Sequence, residues 1–125
     1  MTPPDSDHVA YVAAIIRCYL ELPETPMSAT VQDHRLARRW HELGVVLNLA
    51  ESALLLASLR RLVRPAGLPP LSPIRSLAYF QPVVDELRVH PMPAQYLDYL
   101  RLKLNRIAAG DEPPQVQKNT FSDDL

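Results

Sequence analysis

Glycine and cysteine are scarce in this chain of 125 residues, and each shortage excludes a class of protein. Three glycines leave no Gly-rich phosphate-binding loop. The single cysteine, Cys18, has no partner for an internal disulfide or a CxxC zinc pair, and its apolar neighbours predict a buried thiol. No apolar run approaches the roughly 18 residues of a membrane span, and the first residues lack the basic start and apolar core of a signal peptide. We therefore expect a cytoplasmic protein that does not enter a membrane.

Proline and aliphatic residues are abundant instead. Thirteen prolines divide the chain into short segments, and 47% of all residues are hydrophobic. Within the segments the apolar residues recur at helical spacing, and none alternates as a strand would. The length suits one domain with its own core. The prediction is an all-α fold, a single compact bundle of about five helices with disordered acidic termini.

Charge is distributed unevenly along the chain. Residues 1–7 and 111–125 are acidic, whereas residues 8–110 hold twelve Lys and Arg against eight Asp and Glu. We expect a flexible lead over residues 1–7, a helical domain over residues 8–110 and a disordered acidic tail over residues 111–125. A net charge of +4 on the folded part permits contact with nucleic acid but does not establish it.

Capping and breaking residues set the expected boundaries of the first two helices. The first helix should run from about residue 8 to residue 22. The second should start from a cap at Ser28 or Thr30 and reach Leu43. Gly44 stands where a left-handed residue ends a helix.

The third helix, about residues 47–63, is apolar on nearly all sides and should form the buried spine of the bundle. Residues 65–71 contain too much proline for a helix. Ser72 and Pro73 give a cap followed by proline, which predicts the start of a fourth helix, and Pro82 predicts a kink or a restart near Phe80. A last helix should cover residues 94–108 and stop at Gly110.

Motifs of catalysis are missing from the sequence. It contains neither a GxSxG nor an HExxH pattern. His34 and His41 are seven residues apart, about 10 Å along a helix axis, which is too far for the two to share a metal ion unaided. We interpret them as solvated helix histidines and expect no enzyme, no cofactor and no metal site.

The arginines of the second helix are the strongest candidates for binding. Arg38 can pair with Glu42 four residues later, but Arg35 and Arg39 form a like-charged pair at the same spacing. Such a pair is mildly unfavourable unless an acidic partner meets it. The alternative is an ordinary solvated face.

Two further groups of residues could contribute to an arginine patch or a stacking surface. Arg60, Arg61 and Arg64 end the third helix, where cations are also favoured by the helix dipole, and Arg75 could join them at the start of the fourth helix. Along the last helix lie Tyr99, Lys103 and Arg106, an aromatic residue with two cations, as on surfaces that stack single-stranded bases. Tyrosines that border a small helical core are the simpler alternative.

Several stretches together resemble the helical module of DnaD-type replication and primosome proteins. They are Arg35-Leu36-Ala37, the turn at Leu43-Gly44-Val45, the Ala- and Leu-rich helix ending in Leu59-Arg60-Arg61, and the segment from Pro73 to Phe80. The resemblance covers roughly residues 30–90 and implies contacts with DNA or a helicase. The chain differs from that family in its proline-rich segment and in Pro82, and it also resembles small proteins encoded beside bacterial mobile elements.

The resulting hypothesis is a non-enzymatic accessory factor in DNA replication or recombination. It would contact nucleic acid through an arginine patch made of Arg35, Arg38, Arg39, Arg60, Arg61, Arg64 and Arg75. The alternative is a module for protein–protein interaction or self-association that uses an apolar groove around Leu68, Leu71 and Tyr79. A small enzyme would need a convergent polar pocket that the sequence does not indicate.

Overall fold

The computed structural model of the chain describes residues 4–65 and 67–110, with the backbone alone for residues 4–7. This part of the chain contains no strand, and five α-helices and one 3₁₀ helix follow one another along it. In order they are α1 (Pro4–Glu21), α2 (Val31–Glu42), α3 (Leu47–Leu62), the 3₁₀ helix (Leu77–Phe80), α4 (Gln81–Val89) and α5 (Tyr96–Ala108). The predicted all-α bundle is confirmed.

Helix α3 is the centre of the bundle. It packs against α1, α4, α5 and the 3₁₀ helix, while α2 packs against α1 and the 3₁₀ helix. The buried residues of α3 are Ala50, Ser52, Ala53, Leu54, Leu55, Ala57, Ser58 and Leu59. Each fully buried leucine contributes about 1.5–3 kcal/mol through removal of apolar surface from water. The prediction that this helix forms the spine is therefore confirmed.

Helix α1 begins earlier than the sequence pattern indicates. Its first residue is Pro4, so residues 4–7 are helical and the expected flexible lead is wrong for them. Proline is favoured at the first helical position because its fixed φ angle suits the helix and its missing N–H has no partner there. Residues 1–3 and the predicted acidic tail, residues 111–125, lie outside the described residues.

A capping box fixes the start of α2 and also joins α2 to the second half of the chain. The Thr30 hydroxyl accepts a hydrogen bond from the Asp33 backbone N–H (3.2 Å), and the Asp33 carboxylate accepts one from the Thr30 N–H (2.9 Å). The other carboxylate oxygen of Asp33 accepts the N–H of Leu77 (2.9 Å). Asp33 is buried, so this carboxylate bonds the first turn of α2 to the 3₁₀ helix.

Gly44 ends α2 in the manner that the sequence predicts. Its φ angle is +82°, in the left-handed region. The Val45 N–H bonds the Trp40 carbonyl and the Gly44 N–H bonds the His41 carbonyl, which is the Schellman arrangement. The turn sends the chain directly into α3.

The segment before α4 departs from the prediction. Ser72 and Pro73 do not start a helix, because the chain stays extended through Arg75 and only then forms the 3₁₀ helix. The Ile74 N–H bonds the Glu24 carbonyl (2.9 Å), which joins this segment to the α1–α2 loop. The expected restart near Phe80 is confirmed, since α4 begins at Gln81 with Pro82 in its first turn.

Helix α5 begins at Tyr96, two residues after the predicted start, and Gly110 follows it with a φ angle of +83°. The last two segments of the domain each bury a stripe of apolar residues. The stripes comprise Ile74, Leu77, Phe80, Val84 and Leu87, and then Leu97, Leu100, Leu104 and Ile107. No helix in the described ranges is both long and apolar enough to cross a bilayer.

Candidate functional site

A groove runs along the protein surface between α1 and α2. It has a volume of about 440 Å³ and we call it the α1–α2 groove. Among residues whose side chains are described, its lining consists of His8, Val9, Val12, Ala13, Val31, His34, Arg35 and Arg38, and none of these is acidic. The groove therefore combines an apolar surface with two arginines and two histidines.

The apolar part of the groove is open to solvent. Val9 is 67% exposed and Val31 is 65% exposed, values well above those of core valines such as Val84. Pockets for small molecules usually enclose most of their ligand, which a surface this open does not do. An elongated occupant that lies along the two helices suits the groove better.

The arginines of α2 remain available, as their spacing predicts. Arg38 forms the expected ion pair with Glu42 at 3.4 Å, with both side chains more than half exposed. Arg35 and Arg39 are exposed, and their side chains make no hydrogen bond or ion pair with any residue of the described ranges. An uncompensated like-charged pair thus lies beside the groove, and a carboxylate or phosphate would relieve its repulsion.

Arg60 is engaged within the protein. Its guanidinium donates two hydrogen bonds to the Glu86 carboxylate, at 2.8 and 2.7 Å, and ties α3 to α4. These bonds raise the pKa of Arg60, and the same guanidinium lowers the pKa of Glu86. A bidentate pair of this kind competes with any phosphate for the arginine.

Arg61, like Arg60, is engaged within the protein, so its guanidinium already has partners. Only 6% of its side chain is exposed. The guanidinium donates to the Glu24 carboxylate, to the Tyr79 hydroxyl (3.2 Å) and to the Ser72 carbonyl (2.8 Å), and it lies 5.2 Å from the centre of the Tyr79 ring. Burial lowers the pKa of Arg61, but the bonds to Glu24 and Tyr79 outweigh it and raise the pKa overall.

Neither Arg64 nor Arg75 is among the described residues that line the α1–α2 groove. Arg64 donates to the Pro69 carbonyl (2.8 Å) and so closes the connection after α3. Arg75 is exposed on the extended segment, not at the start of a helix as predicted.

Arg60, Arg61 and Arg64 line a second groove of about 340 Å³, which includes Leu71 and Tyr79 but no residue of α2. Five arginines of the predicted patch are therefore divided between two grooves, and Arg39 and Arg75 are among the described lining residues of neither. Of the three residues of the predicted apolar groove, Leu71 and Tyr79 line this second groove beside the arginines, while Leu68 is exposed and is not among its described lining residues.

The candidate stacking surface of α5 is partly present. Tyr99 is 53% exposed and packs beside Tyr96, with the ring centres 5.5 Å apart. Lys103 is half-buried and Arg106 is exposed. These residues lie on α5, which contributes to neither arginine-lined groove.

The sequence interpretation missed a contact between two histidines. The Nδ1 atoms of His8 and His41 are 3.0 Å apart, and the rings meet at 66° with their centres 4.4 Å apart. His34 is separate, since its Nδ1 donates to the Thr30 carbonyl at 2.9 Å. The antiparallel order of α1 and α2 was the available signal, because it brings the start of one helix beside the end of the other.

Among the described residues, no three His, Cys, Asp or Glu side chains cluster as metal ligands. The buried thiol predicted at Cys18 is confirmed, and burial raises its pKa to about 12. A thiol of such high pKa is a poor nucleophile near neutral pH.

No protein-family model gives a significant match to the chain. No curated protein and no solved structure does so either. The resemblance to DnaD-type modules therefore stays a prediction.

Proposed function

We propose that the protein is a non-enzymatic interaction module that binds an acidic, amphipathic segment of a partner protein in the α1–α2 groove. The observation that carries the proposal is the composition of the groove: apolar residues from both helices, flanked by Arg35 and Arg38, with no acidic residue among the lining side chains that the structure describes. A partner helix that presents aliphatic residues on one face and carboxylates beside them is complementary to this surface.

The mixture of surfaces favours a protein partner over nucleic acid. Val9 and Val31 together expose an apolar surface that phosphate contacts would leave unused. Covering it with aliphatic side chains gains free energy at about 25 cal/mol per Å² of apolar surface buried. Carboxylates of the partner would meet Arg35 and offset its repulsion with Arg39.

A pair of peptides tests this proposal directly. Both are helical and carry leucines on one face, and they differ only in having glutamates or lysines beside the leucines. The Glu peptide should bind at least tenfold more tightly than the Lys peptide, and amide shifts in NMR spectra should map to α1 and α2. Equal binding of the two peptides would contradict the proposal.

Substitutions in the groove give the matching controls. Val31→Asp should abolish binding of the Glu peptide, whereas Leu102→Asp, at a residue of α5 that is 51% exposed, should leave it unchanged. Arg35→Glu should reverse the preference in favour of the Lys peptide. If the groove has no binding role, none of these substitutions should change the affinity for either peptide.

Nucleic acid is the second candidate, and one observation favours it: Arg35 and Arg39 are exposed cations without a partner in the described ranges. A role in DNA replication or recombination would require such contacts with DNA or with a replication protein. Fluorescently labelled single- and double-stranded DNA should then bind at low salt and dissociate steeply as salt rises. Arg39→Glu should weaken this binding while Arg88→Glu, on α4, should not, and absence of binding at low salt excludes the candidate.

A further inference from the structure

His8, near the start of α1, lies beside His41, near the end of α2, although 33 residues separate them in the sequence. Their Nδ1 atoms face each other at 3.0 Å. A hydrogen bond at this distance needs one donor and one acceptor, so one ring carries hydrogen on Nδ1 and the other does not. Two imidazole nitrogens are thereby held close together by different helices.

The surrounding residues fix both helices at this point. The Tyr11 hydroxyl, one turn after His8, donates to the Val45 carbonyl at 2.7 Å in the buried interior. The Tyr11 ring also packs on His41, with the ring centres 4.9 Å apart. Val45 itself is held by the turn that ends α2. The histidine pair is consequently built on a rigid junction and not on a loop.

We propose that the Nδ1 atoms of His8 and His41 together bind a divalent ion of the late first-row transition metals. Zn²⁺ is the simplest probe of such a site. Zinc–nitrogen bonds of about 2.0–2.1 Å at a tetrahedral angle place two nitrogens roughly 3.3 Å apart. The observed separation of 3.0 Å is therefore a few tenths of an ångström short of that geometry. Imidazole is a preferred ligand of Zn²⁺, Ni²⁺ and Cu²⁺.

Two protein ligands leave the remaining coordination positions to water. On binding, the ring that donates its Nδ1 hydrogen transfers this hydrogen to its own Nε2 through solvent, so neutral imidazoles release no net proton. Both rings then carry hydrogen on Nε2. Among nearby charged groups, the Glu42 carboxylate pairs with Arg38, which offsets the charge of that arginine. Arg35 lines the same groove as His8 and acts against the cation at a longer range.

Zinc titration of the full chain without an affinity tag, followed by NMR of the histidine ring nitrogens, tests the proposal. The chain has four histidines, which supply an internal comparison. The ring signals of His8 and His41 should shift together, saturate at one Zn²⁺ per chain and report hydrogen on Nε2 in both rings. Those of His34 and His90 should stay unchanged. Equal shifts at all four histidines would overturn the proposal, because they indicate unspecific binding.

Histidine variants give the second readout. His8→Gln and His41→Gln should each weaken zinc affinity about tenfold or more, since loss of even an outer partner of a metal ligand has that effect. His34→Gln, in the same groove but bonded to Thr30, should bind as the natural chain does. Circular dichroism confirms that each variant is folded. Unchanged affinity in folded His8→Gln would falsify the site, and since the probe is the metal alone, this result leaves the proposed peptide groove untouched.

Discussion

Asp33 connects parts of the chain that are 44 residues apart through one carboxylate group. Only 2% of the residue is exposed, and its two oxygens accept the backbone N–H groups of Thr30 and Leu77. Without it, the Leu77 N–H would lose its acceptor in the protein interior, and α2 would lose one bond of its capping box. Bonds from N–H groups to a charged acceptor are among the stronger hydrogen bonds in proteins, so this carboxylate should matter more to stability than any exposed acid of the chain.

Asp33→Asn should lower the free energy of unfolding by about 2 kcal/mol, because the amide has one acceptor oxygen and turns its NH₂ group toward the other donor. Urea denaturation followed by circular dichroism measures the change. Asp85→Asn removes an exposed carboxylate of α4 that contacts only Gln81 among the described side chains, and should cost at most about 0.5 kcal/mol. If the two variants are equally stable, the buried bonds do not contribute as argued.

At the residue scale, local sequence patterns predicted which side chains are buried better than which residues they bond. Cys18 could be placed in the core because its near neighbours are apolar. Arg61 could not be recognised as a structural residue, since its acidic partner, Glu24, is 37 residues away and lies in the α1–α2 loop. The end of a helix looks the same in sequence whether its arginines face solvent or bond another segment.

The α2–α3 turn depends on the backbone conformation of one residue. Gly44 has a φ angle of +82°, and a Cβ atom built there would meet no atom within 4 Å. A substitution at Gly44 is therefore opposed by conformation alone and not by crowding. The left-handed conformation costs an ordinary residue roughly 1–2 kcal/mol.

Gly44→Ala should accordingly lower the free energy of unfolding by about 1 kcal/mol without changing the fold. Gly44→Asn is the matched control: it adds a larger side chain, yet should cost less than alanine because asparagine adopts left-handed conformations more readily. Thermal or urea unfolding distinguishes the two. A greater loss with asparagine than with alanine would mean that space, and not conformation, limits this position.

Elements whose ends are marked by local chemistry were predictable to within a few residues. The start of α2 at Thr30 and its end at Gly44 follow from side-chain and backbone bonds within one turn. The segment at Ser72 and Pro73 carries an equally clear start signal, but a backbone bond from Ile74 to Glu24 keeps it extended. Tertiary bonds override capping preferences there, and the sequence of the segment does not contain its partner.

At the scale of the whole molecule, the grooves could not be predicted because they arise between helices. The positions of Arg35 and Arg38 on α2 were evident, but that they share a groove with Val9 and Val12 depends on how α1 packs against α2. The division of the arginines into two surfaces has the same origin. A pattern along the chain indicates which face of a helix is polar, whereas the packing decides what that face meets.

The packing of α1 against the core also buries two groups whose ionisation should lower the stability of the protein at alkaline pH. Burial, assisted by Glu51, raises the pKa of Cys18 from 9.0 to about 12, and burial, assisted by Asp33, raises the pKa of Tyr19 from 10.0 to about 12. In the unfolded chain both groups lose their protons at the lower values. The unfolded state thus binds fewer protons than the folded state above about pH 9, and folding becomes less favourable there.

The free energy of unfolding should therefore stay level up to about pH 9 with respect to these two groups and fall steadily toward pH 12. Urea midpoints across this range measure the fall. The double variant Cys18→Ala, Tyr19→Phe removes both groups, so its stability should decline less steeply with pH than that of the natural chain. If the free energy of unfolding falls equally steeply with pH in both proteins, the loss of stability at alkaline pH is due to other residues. A shallower slope would show that the α1–core contact must exclude these two charges for the bundle to remain folded.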